Sequence, residues 1–385
     1  MKVALVIFRL GPSHGSILQS YALYRCLRQL GHQVTVVDAQ WPLPFKRWWR
    51  PTASRLVRRL IGQYHGPVFY RGDYPPVMMS RLSSFIERGF GKDLITVRNL
   101  RELAAAGCLD VDAYVVGSDQ TWRPGYVHDV RHYFLSFVPA GRPVRRIAYA
   151  PSFGTAKWEY PPALEAECRR LLQRFDAVSV REAEGVRLCA GHFGVEARHV
   201  LDPTMLLTGE DYLVMTLTAP APTAAPKEAP AAVASPAGYV GYSLIDFSAR
   251  NLEAVAQAAR LMQLPSRRLN APIDDYRAPM AERIPPSVED WLGGIGRSAL
   301  LLTDSFHATV FAILLNRPFV VLANQERGLS RLQSLLAMVG LENRLVSRPE
   351  QITSELLSAP IDWQAINARL AVERQASIEF LIKAL

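Results

Sequence analysis

The stretch ALLLTDSFHATVFAILLNRPFVVL, residues 299–322, decides the fold class. Its first residues, Ala299–Leu302, form a short apolar run that is typical of a parallel strand covered on both faces. Ala308–Leu315 favours a buried helix, and Asn316-Arg317-Pro318 ends that helix before the apolar run Phe319–Leu322. The stretch therefore predicts a strand, a turn, a helix, a turn and a strand, which is the repeating unit of an α/β protein.

The polar turn Thr303–His307 separates the two apolar runs. In such a unit, the turn after the first strand lies at the carboxyl edge of the sheet, where ligands bind. The helix begins there with free N–H groups and a partial positive charge, so His307 is predicted to lie beside an anion site. The alternative is that Asp304 or Ser305 caps the helix and that His307 only satisfies a loop carbonyl. The stretch alone does not separate these two interpretations.

A second unit of the same kind opens the chain. Lys2–Phe8 predicts a strand, Gly11–Ser16 a turn, Ile17–Leu30 a helix and His32–Asp38 the next strand. This order is typical of a doubly wound sheet. The two glycines of the turn do not have the GxGxxG spacing of dinucleotide-binding proteins, so a nicotinamide cofactor is not indicated.

Four further apolar strands are predicted to end in small polar clusters, as expected if one edge of the sheet lines a cleft. They are Ala113–Val116 before Gly117–Trp122, Ile147–Ala150 before Pro151–Gly154, Ala177–Val180 before Arg181-Glu182, and Val200-Leu201 before Asp202.

Composition indicates a soluble globular protein of 385 residues, 49% of them hydrophobic, with a net charge of +9. No uncharged run approaches the ~20 residues that cross a bilayer, and the amino terminus has no small-residue cleavage site. The four cysteines are far apart in the sequence, which is typical of core residues in a reducing compartment. We therefore expect a cytoplasmic protein with an anionic partner, since the charge suits phosphate, an acidic sugar, a membrane surface or nucleic acid alike.

The segment 45–72 is basic and aromatic. Leu56, Val57, Leu60 and Ile61 could form one face of a short helix with arginines beside it, which would suit a peripheral contact with the inner membrane face. The alternative is a solvated excursion between strands, which the shortness of the helix favours. A nucleic-acid partner is not expected, because no recognised nucleic-acid-binding fold is present.

The domain organisation follows from these patterns. We predict an amino-terminal α/β domain over 1–215, an Ala/Pro-rich linker over 216–238, and a second α/β domain over 239–360 that carries the anion site beside His307. Residues 361–385 predict a carboxyl-terminal helix that could pack back on the first domain.

Three arginines are candidate anion ligands. Arg181 follows a strand, where a guanidinium can bind carboxylate or phosphate through two parallel bonds, but it could instead pair with Glu182 or Glu184. Arg327 and Arg331 follow the strand after the His307 helix and could reach the same anion, or they could belong to an ordinary basic surface turn. No metal site is indicated, because the Asp110-Val111-Asp112 segment precedes its strand and so falls on the opposite edge of the sheet.

Seven stretches, in this order, resemble the polysaccharide pyruvyl transferase family. They are HGSILQSYALYRCLRQLGHQVTVVD, DAYVVGSDQTW with YFLSFV after it, RRIAYAPSFG, FDAVSVREAEGVRLC, VLDPTMLL, LLLTDSFHATVFAILLNRPFVVL and RGLSRLQSLLAMVGLENR. Each is weak alone, but seven in register are specific. The sequence departs from the family pattern at Ala308, where glycine is usual, and in the turn SHGS, where Asn-Tyr-Gly is common.

The resemblance implies an α/β fold of two Rossmann-like domains facing a cleft, as in GT-B glycosyltransferases. It also implies a reaction in which phosphoenolpyruvate, a co-substrate rather than a cofactor, donates its pyruvyl group to two hydroxyls of a sugar. The products would be a cyclic ketal and phosphate. The acceptor would be a sugar or a lipid-linked oligosaccharide. The alternatives are a glycosyltransferase that uses a nucleotide sugar, and a non-catalytic member that binds glycan.

The resemblance also implies roles for particular residues. His307 would be the general acid, and the donor would be bound by Arg181, Ser305 and Arg327, with Arg331 as the alternative to Arg327. Four residues would contact the acceptor or order the cleft, and these are Gly15, Asp119, Gln120 and Ser152.

Overall fold

A computed structural model describes residues 1–40, 45–62, 64–68, 74–217, 238–324 and 328–385, with the backbone alone for 45–51, 216 and 217. The strands are β1 Lys2–Ile7, β2 Gln33–Ala39, β3 Leu94–Val97, β4 Ala113–Val116, β5 Arg145–Ala148, β6 Ala177–Val180, β7 Arg198–His199, β8 Val240–Ser243, β9 Ser266–Arg268, β10 Leu300–Thr303, β11 Phe319–Leu322 and β12 Leu345–Val346. The helices are α1 His14–Gln29, α2 Phe45–Leu60, α3 Ser83–Phe90, α4 Leu100–Ala106, α5 Pro162–Leu172, α6 Ala183–Leu188, α7 Gly209–Leu217, α8 Ala249–Met262, α9 Met280–Arg283, α10 Val288–Gly296, α11 Phe306–Leu314, α12 Leu329–Val339, α13 Ser354–Ser358 and α14 Trp363–Ala384.

The first sheet is parallel throughout and has the order β3-β2-β1-β4-β5-β6-β7. Strand β1 lies inside the sheet, and Val3 pairs with Val34 on one side and with Ala113 on the other. Its residues Val3–Ile7 are buried, because helices cover both faces of a parallel sheet and favour a continuous apolar run. The direction of winding reverses between β1 and β4, and ligands bind at such a switch point.

The second sheet is also parallel and has the order β12-β11-β10-β8-β9. Leu301 in β10 pairs with Phe319 in β11 and with Gly241 in β8. Here the winding reverses between β8 and β10. The turn that begins at Asp304 follows β10 directly, so it lies at the switch point of this sheet.

The chain divides into unit 1, residues 1–206, 273–285 and 371–385, and unit 2, residues 207–272 and 286–370. Within the two predicted domains, this division differs from the predicted boundaries in two places. Residues 207–215 group with unit 2, because Tyr212 in α7 is fully buried and packs edge-on against Phe311 at a centroid distance of 4.9 Å. Residues 273–285 join unit 1 rather than the second domain. The predicted linker, except for its ends, lies outside the described residues.

Helix α14 contributes its last residues, from Ala371 onwards, to unit 1. The hydroxyl of Ser377 accepts a hydrogen bond from the Leu201 backbone N–H at 3.0 Å, and Arg145 donates to the Ala384 carbonyl at 3.0 Å. Residues 363–370 of the same helix group with unit 2. A single predicted terminal element is therefore shared between the two units.

Three of the four cysteines, Cys26, Cys168 and Cys189, are buried, as expected of core residues, and burial raises the pKa of each to about 12. Cys108 is exposed, which corrects its assignment to the core. It follows α4 in a turn, where the chain has left the apolar face of that helix. Among the helices of the described residues, none combines the length and the apolar character that crossing a bilayer requires.

Candidate functional site

The turn after β10 is held rigidly by its own polar side chains. The Thr303 hydroxyl donates to the Ser243 carbonyl at 2.6 Å and accepts from the Ser305 N–H at 3.0 Å. Ser305 is the N-cap of α11, and its hydroxyl accepts from the Ala308 N–H at 3.4 Å. Ser305 therefore caps the helix, as one interpretation of the sequence predicted. If Ser305 also binds the donor, the same hydroxyl must make both contacts.

Asp304 ties the turn after β10 to the turn after β8. Its buried carboxylate accepts hydrogen bonds from the N–H groups of Ile245 at 2.6 Å and Asp246 at 2.9 Å. Burial raises the pKa of Asp304, although the two N–H groups act in the opposite direction. The carboxylate thus organises the switch point of unit 2 from inside.

His307 is the second residue of α11, next to the helix N-terminus, as predicted. Its side chain is partly exposed, and its ring meets the Phe306 ring edge-on at a centroid distance of 5.3 Å. The neighbouring Ala308 is fully buried. Its methyl group therefore packs in the core of unit 2.

Arg331 lies against the same phenylalanine. Its guanidinium carbon is 5.9 Å from the centre of the Phe306 ring, within cation–π range, and the residue is buried. The side chain folds back over Gly328, the N-cap of α12, which has a φ of +81°. A Cβ at Gly328 would lie 2.3 Å from Nη2 of Arg331, so a larger residue would displace the guanidinium. Unit 2 therefore places a cation, an imidazole and a helix N-terminus in one small region, whereas Arg327 lies outside the described residues.

Arg181 has a different environment from the one predicted. Its side chain is 1% exposed within unit 1 and is 2.8 Å from Asp202, 3.6 Å from Asp119 and 4.0 Å from Glu182. Burial would lower the pKa of Arg181, but the three carboxylates outweigh burial and raise it. A doubly anionic donor would meet these carboxylates. The geometry therefore favours a structural role for Arg181, close to the salt-bridge alternative, although the main partner is Asp202 and not Glu184.

Asp119 carries backbone strain at the carboxyl end of β4. Its φ of 74° and ψ of −170° fall in a region that is otherwise almost confined to glycine. The conformation lets its carbonyl accept from the Ser152 N–H at 2.8 Å while its carboxylate accepts from the Gln120 N–H at 2.8 Å. Strain of this kind persists where the surroundings hold it in place, and it clusters at functional sites.

The other three residues predicted for the acceptor are held inside unit 1. Ser152 is fully buried and donates to Glu182 at 2.7 Å, and Gln120 accepts from Arg123 at 3.1 Å. Gly15 is buried in the first turn of α1. Asp119 is the member of the predicted set that lines a cavity of the described structure.

That cavity has a volume of about 340 Å³ and lies in unit 1 at the carboxyl ends of β1, β2 and β4. Its position is the switch point of the sheet. Its wall is largely apolar and aromatic, with a polar group formed by Asp119, His128, Asp129 and His132. The remaining lining residues include Val6, Phe8, Val37, Leu103, Tyr74, Tyr126, Val127, Tyr133, Phe137 and Ile273.

The histidines of the cavity were not predicted. The His128 and His132 rings are nearly parallel, with an interplanar angle of 10° and centroids 6.3 Å apart, and His132 Nε2 is 3.9 Å from the Asp129 carboxylate. The His132 side chain is 12% exposed, and burial, despite Asp129, lowers the pKa of His132 to about 4. It is therefore a neutral imidazole at pH 7 that can accept a proton. The signal available in the sequence was HDVRH, two histidines four residues apart directly before YFLSFV.

Two solved structures are similar in fold to this chain over almost its whole length. UDP-GlcNAc 2-epimerase from Neisseria meningitidis, solved with UDP-GlcNAc, is 13% identical, with a TM-score of 0.50 and 100% of both chains covered. UGT89C1 of Arabidopsis thaliana is 11% identical, with a TM-score of 0.50, 98% of this chain and 94% of that chain covered. These likenesses confirm the predicted fold class, α/β with two Rossmann-like domains in a GT-B-like architecture. The cleft between the domains stays a prediction.

Among proteins with curated descriptions, none matches the chain. The family model described as polysaccharide pyruvyl transferase matches residues 14–326, which is most of the chain and includes the β4 turn, the cavity histidines and the turn at His307. The chain therefore belongs to the polysaccharide pyruvyl transferase family.

Proposed function

We propose that the protein transfers the pyruvyl group of phosphoenolpyruvate to two hydroxyls of a sugar and releases phosphate. The observation that carries this proposal is the grouping of His307 and Arg331 around Phe306 at the N-terminus of α11. A small dianion suits this region, since a guanidinium and a helix N-terminus both stabilise negative charge. The imidazole beside them is the group that we assign as the general acid.

The reaction balances with one proton donor and one acceptor. A proton from His307 adds to the methylene carbon of the donor, which becomes a methyl group, and an oxocarbenium-like centre forms at the neighbouring carbon. The first sugar hydroxyl bonds to that carbon, phosphate leaves, and the second hydroxyl closes the ketal. The two hydroxyls lose two protons, of which one replaces the proton given to the methylene and the other leaves with phosphate.

The cavity of unit 1 is our candidate for the acceptor. Its apolar and aromatic wall suits the C–H face of a sugar ring, and Asp119 and His132 supply hydrogen-bond acceptors. We assign the removal of a hydroxyl proton to His132, because its ring lines the cavity and lies beside the Asp129 carboxylate. Arg181 would act by positioning Asp119 and Asp202, and not by binding the donor.

Turnover tests this assignment directly. The protein is incubated with phosphoenolpyruvate and candidate glycans, while phosphate release and the methyl signal of the ketal are followed by NMR. The variant His307→Gln should lower turnover by about 10²–10⁴-fold, the usual contribution of a positioned acid. His65→Gln is the matched control, because His65 is an exposed histidine far along the chain from the α11 turn. Undiminished turnover in His307→Gln would remove the mechanism.

Donor identity is tested without turnover. Phosphoenolpyruvate should raise the melting temperature of the wild-type protein and raise it less in Arg331→Met. A nucleoside diphosphate should leave it unchanged. Stabilisation by the nucleotide alone would favour a nucleotide-sugar glycosyltransferase, and stabilisation by neither would favour a glycan-binding member without activity.

A further inference from the structure

Helix α2 exposes a row of large apolar side chains. Leu56, Val57, Leu60 and Ile61, which we call the apolar face of α2, are 49%, 59%, 79% and 60% exposed. Ile61 lies just beyond the helix, but its N–H still donates to the Val57 carbonyl at 3.2 Å, so it keeps the helical register. At 3.6 residues per turn, the four side chains fall within an arc of about 140°.

The orientation of this helix is the reverse of that of an ordinary surface helix, which turns its apolar stripe inward. Of the side chains described in α2, Thr52 is buried and Arg55 is partly buried. Arg59 donates to the Gly66 carbonyl at 3.3 Å, so the polar side of the helix is the one that contacts the protein. The apolar face of α2 therefore points away from the core.

Positive charge is concentrated in the same segment. Residues 45–72 contain seven Lys or Arg and no Asp or Glu, whereas the rest of the chain has 37 basic and 35 acidic residues. Seven of the nine excess positive charges are thus within 28 residues of sequence. Helix α2 alone carries six of these seven basic residues. The excess positive charge of the sequence is therefore concentrated in this segment.

We propose that the apolar face of α2 docks on an anionic lipid bilayer, with the helix lying in the headgroup region. In this arrangement the four apolar side chains enter the boundary of the acyl chains, and the arginines beside them reach phosphate groups with their long side chains. Each cation near an anionic surface adds to the attraction, which salt screens.

A lipid surface fits this patch better than a second copy of the chain does. In a symmetric dimer the same basic segment would face itself, and the like charges would repel. A bilayer supplies both a continuous negative surface and an apolar layer, in the order from outside to inside that an amphipathic helix requires. The proposal concerns where the protein works, and it does not depend on the proposed reaction.

Vesicle co-sedimentation of the full chain tests the proposal. The protein should sediment with vesicles of phosphatidylcholine and phosphatidylglycerol at 50 mM salt, at least tenfold more than with phosphatidylcholine alone. Binding should fall severalfold at 500 mM salt, because the charge component is screened.

The variant L56S/V57S/L60S/I61S should lower vesicle binding at least tenfold. Its matched control is L100S/L252S/V372S/I382S, which removes the same four residue types from other exposed positions and should bind as the wild type does. R58E should also lower binding, whereas R101E, at an exposed arginine elsewhere, should keep it. Thermal unfolding of each variant separates lost binding from lost folding.

Three outcomes would overturn the proposal. One is equal binding to neutral and anionic vesicles, and another is full binding by the folded α2 variant. The third is a dimer in light scattering that only the α2 variant abolishes, with no vesicle binding by the wild type, which would assign the face to a second copy.

Discussion

The guanidinium of Arg331 lies over the ring of Phe306, with 5.9 Å between the guanidinium carbon and the ring centre. The two residues come from different elements, α12 and α11, and the contact places a cation beside the helix N-terminus that carries His307. The contact depends on Gly328, because only a residue without a Cβ leaves room for the arginine to fold back over its own N-cap.

Gly328→Ala should therefore weaken phosphoenolpyruvate binding about tenfold or more while the protein stays folded. The new methyl group would displace the Arg331 guanidinium, and the φ of +81° would add backbone strain of about 1 kcal/mol. Gly194→Ala is the control, because Gly194 has a φ of +65° but no described atom lies within 4 Å of the place that a Cβ would take there. Both variants should lose similar stability in urea, and only the first should lose the donor-induced shift in melting temperature. Equal donor binding in the two would argue against Arg331 as a donor ligand.

The strain at Asp119 predicts that glycine at this position gives a more stable protein than alanine does, the reverse of their usual order. Asp119→Gly and Asp119→Ala both remove the carboxylate, but only glycine adopts the observed φ of 74° without cost. The glycine variant should be the more stable of the two by about 1–2 kcal/mol in denaturant unfolding. Both variants should lose turnover if Asp119 contacts the acceptor.

A position inside a helix provides the control, because glycine is expected to be less stable than alanine there. Ala105 lies exposed in α4, where Ala105→Gly should lower the free energy of unfolding by about 0.5–1 kcal/mol. If alanine proved as stable as glycine at position 119, the strain would not exist in solution.

The elements that could be predicted from sequence are those with a continuous apolar run. The bounds of β4, β6 and β11 agree with prediction, because strands buried on both faces leave an unbroken signal. Strand β9 was not predicted, since Ser266, Arg267 and Arg268 are all exposed at the sheet edge and carry no apolar pattern. Strands are predicted from the periodicity and composition of their apolar residues, and both reflect burial. An exposed edge strand has few apolar residues, so it is difficult to predict.

The candidate site shows a similar division. The position of His307 at a helix N-terminus follows from local sequence, and the structure has it there. The partners of Arg181 could not be found in this way, because Asp202 is 21 positions away and Asp119 is further still. Arg181 and His307 belong to different units, so the predicted convergence of these two residues stays a prediction. To predict the cavity histidines one would have to know the register of β1 against β4, which no local sequence pattern reveals.

His132 should make the stability of the protein depend on pH in a defined direction. Its pKa is about 4 in the folded protein against 6.5 for an exposed histidine, so the folded state favours the neutral ring. The stability that this preference contributes is complete above pH 6.5 and is lost as the pH falls towards 4. Between pH 8 and pH 5 the loss amounts to about 2 kcal/mol. The charged groups that act on the ring are Asp129, which opposes the shift, and His128 and Arg131, which support it.

Urea unfolding of wild type and His132→Gln at pH 8 and pH 5 measures this contribution. The variant can be less stable at both values, but its loss between them should be smaller than that of the wild type by about 2 kcal/mol. His65→Gln, at an exposed position, should keep the wild-type difference. Parallel pH slopes for the wild type and His132→Gln would mean that the ring is charged in the folded protein at pH 5.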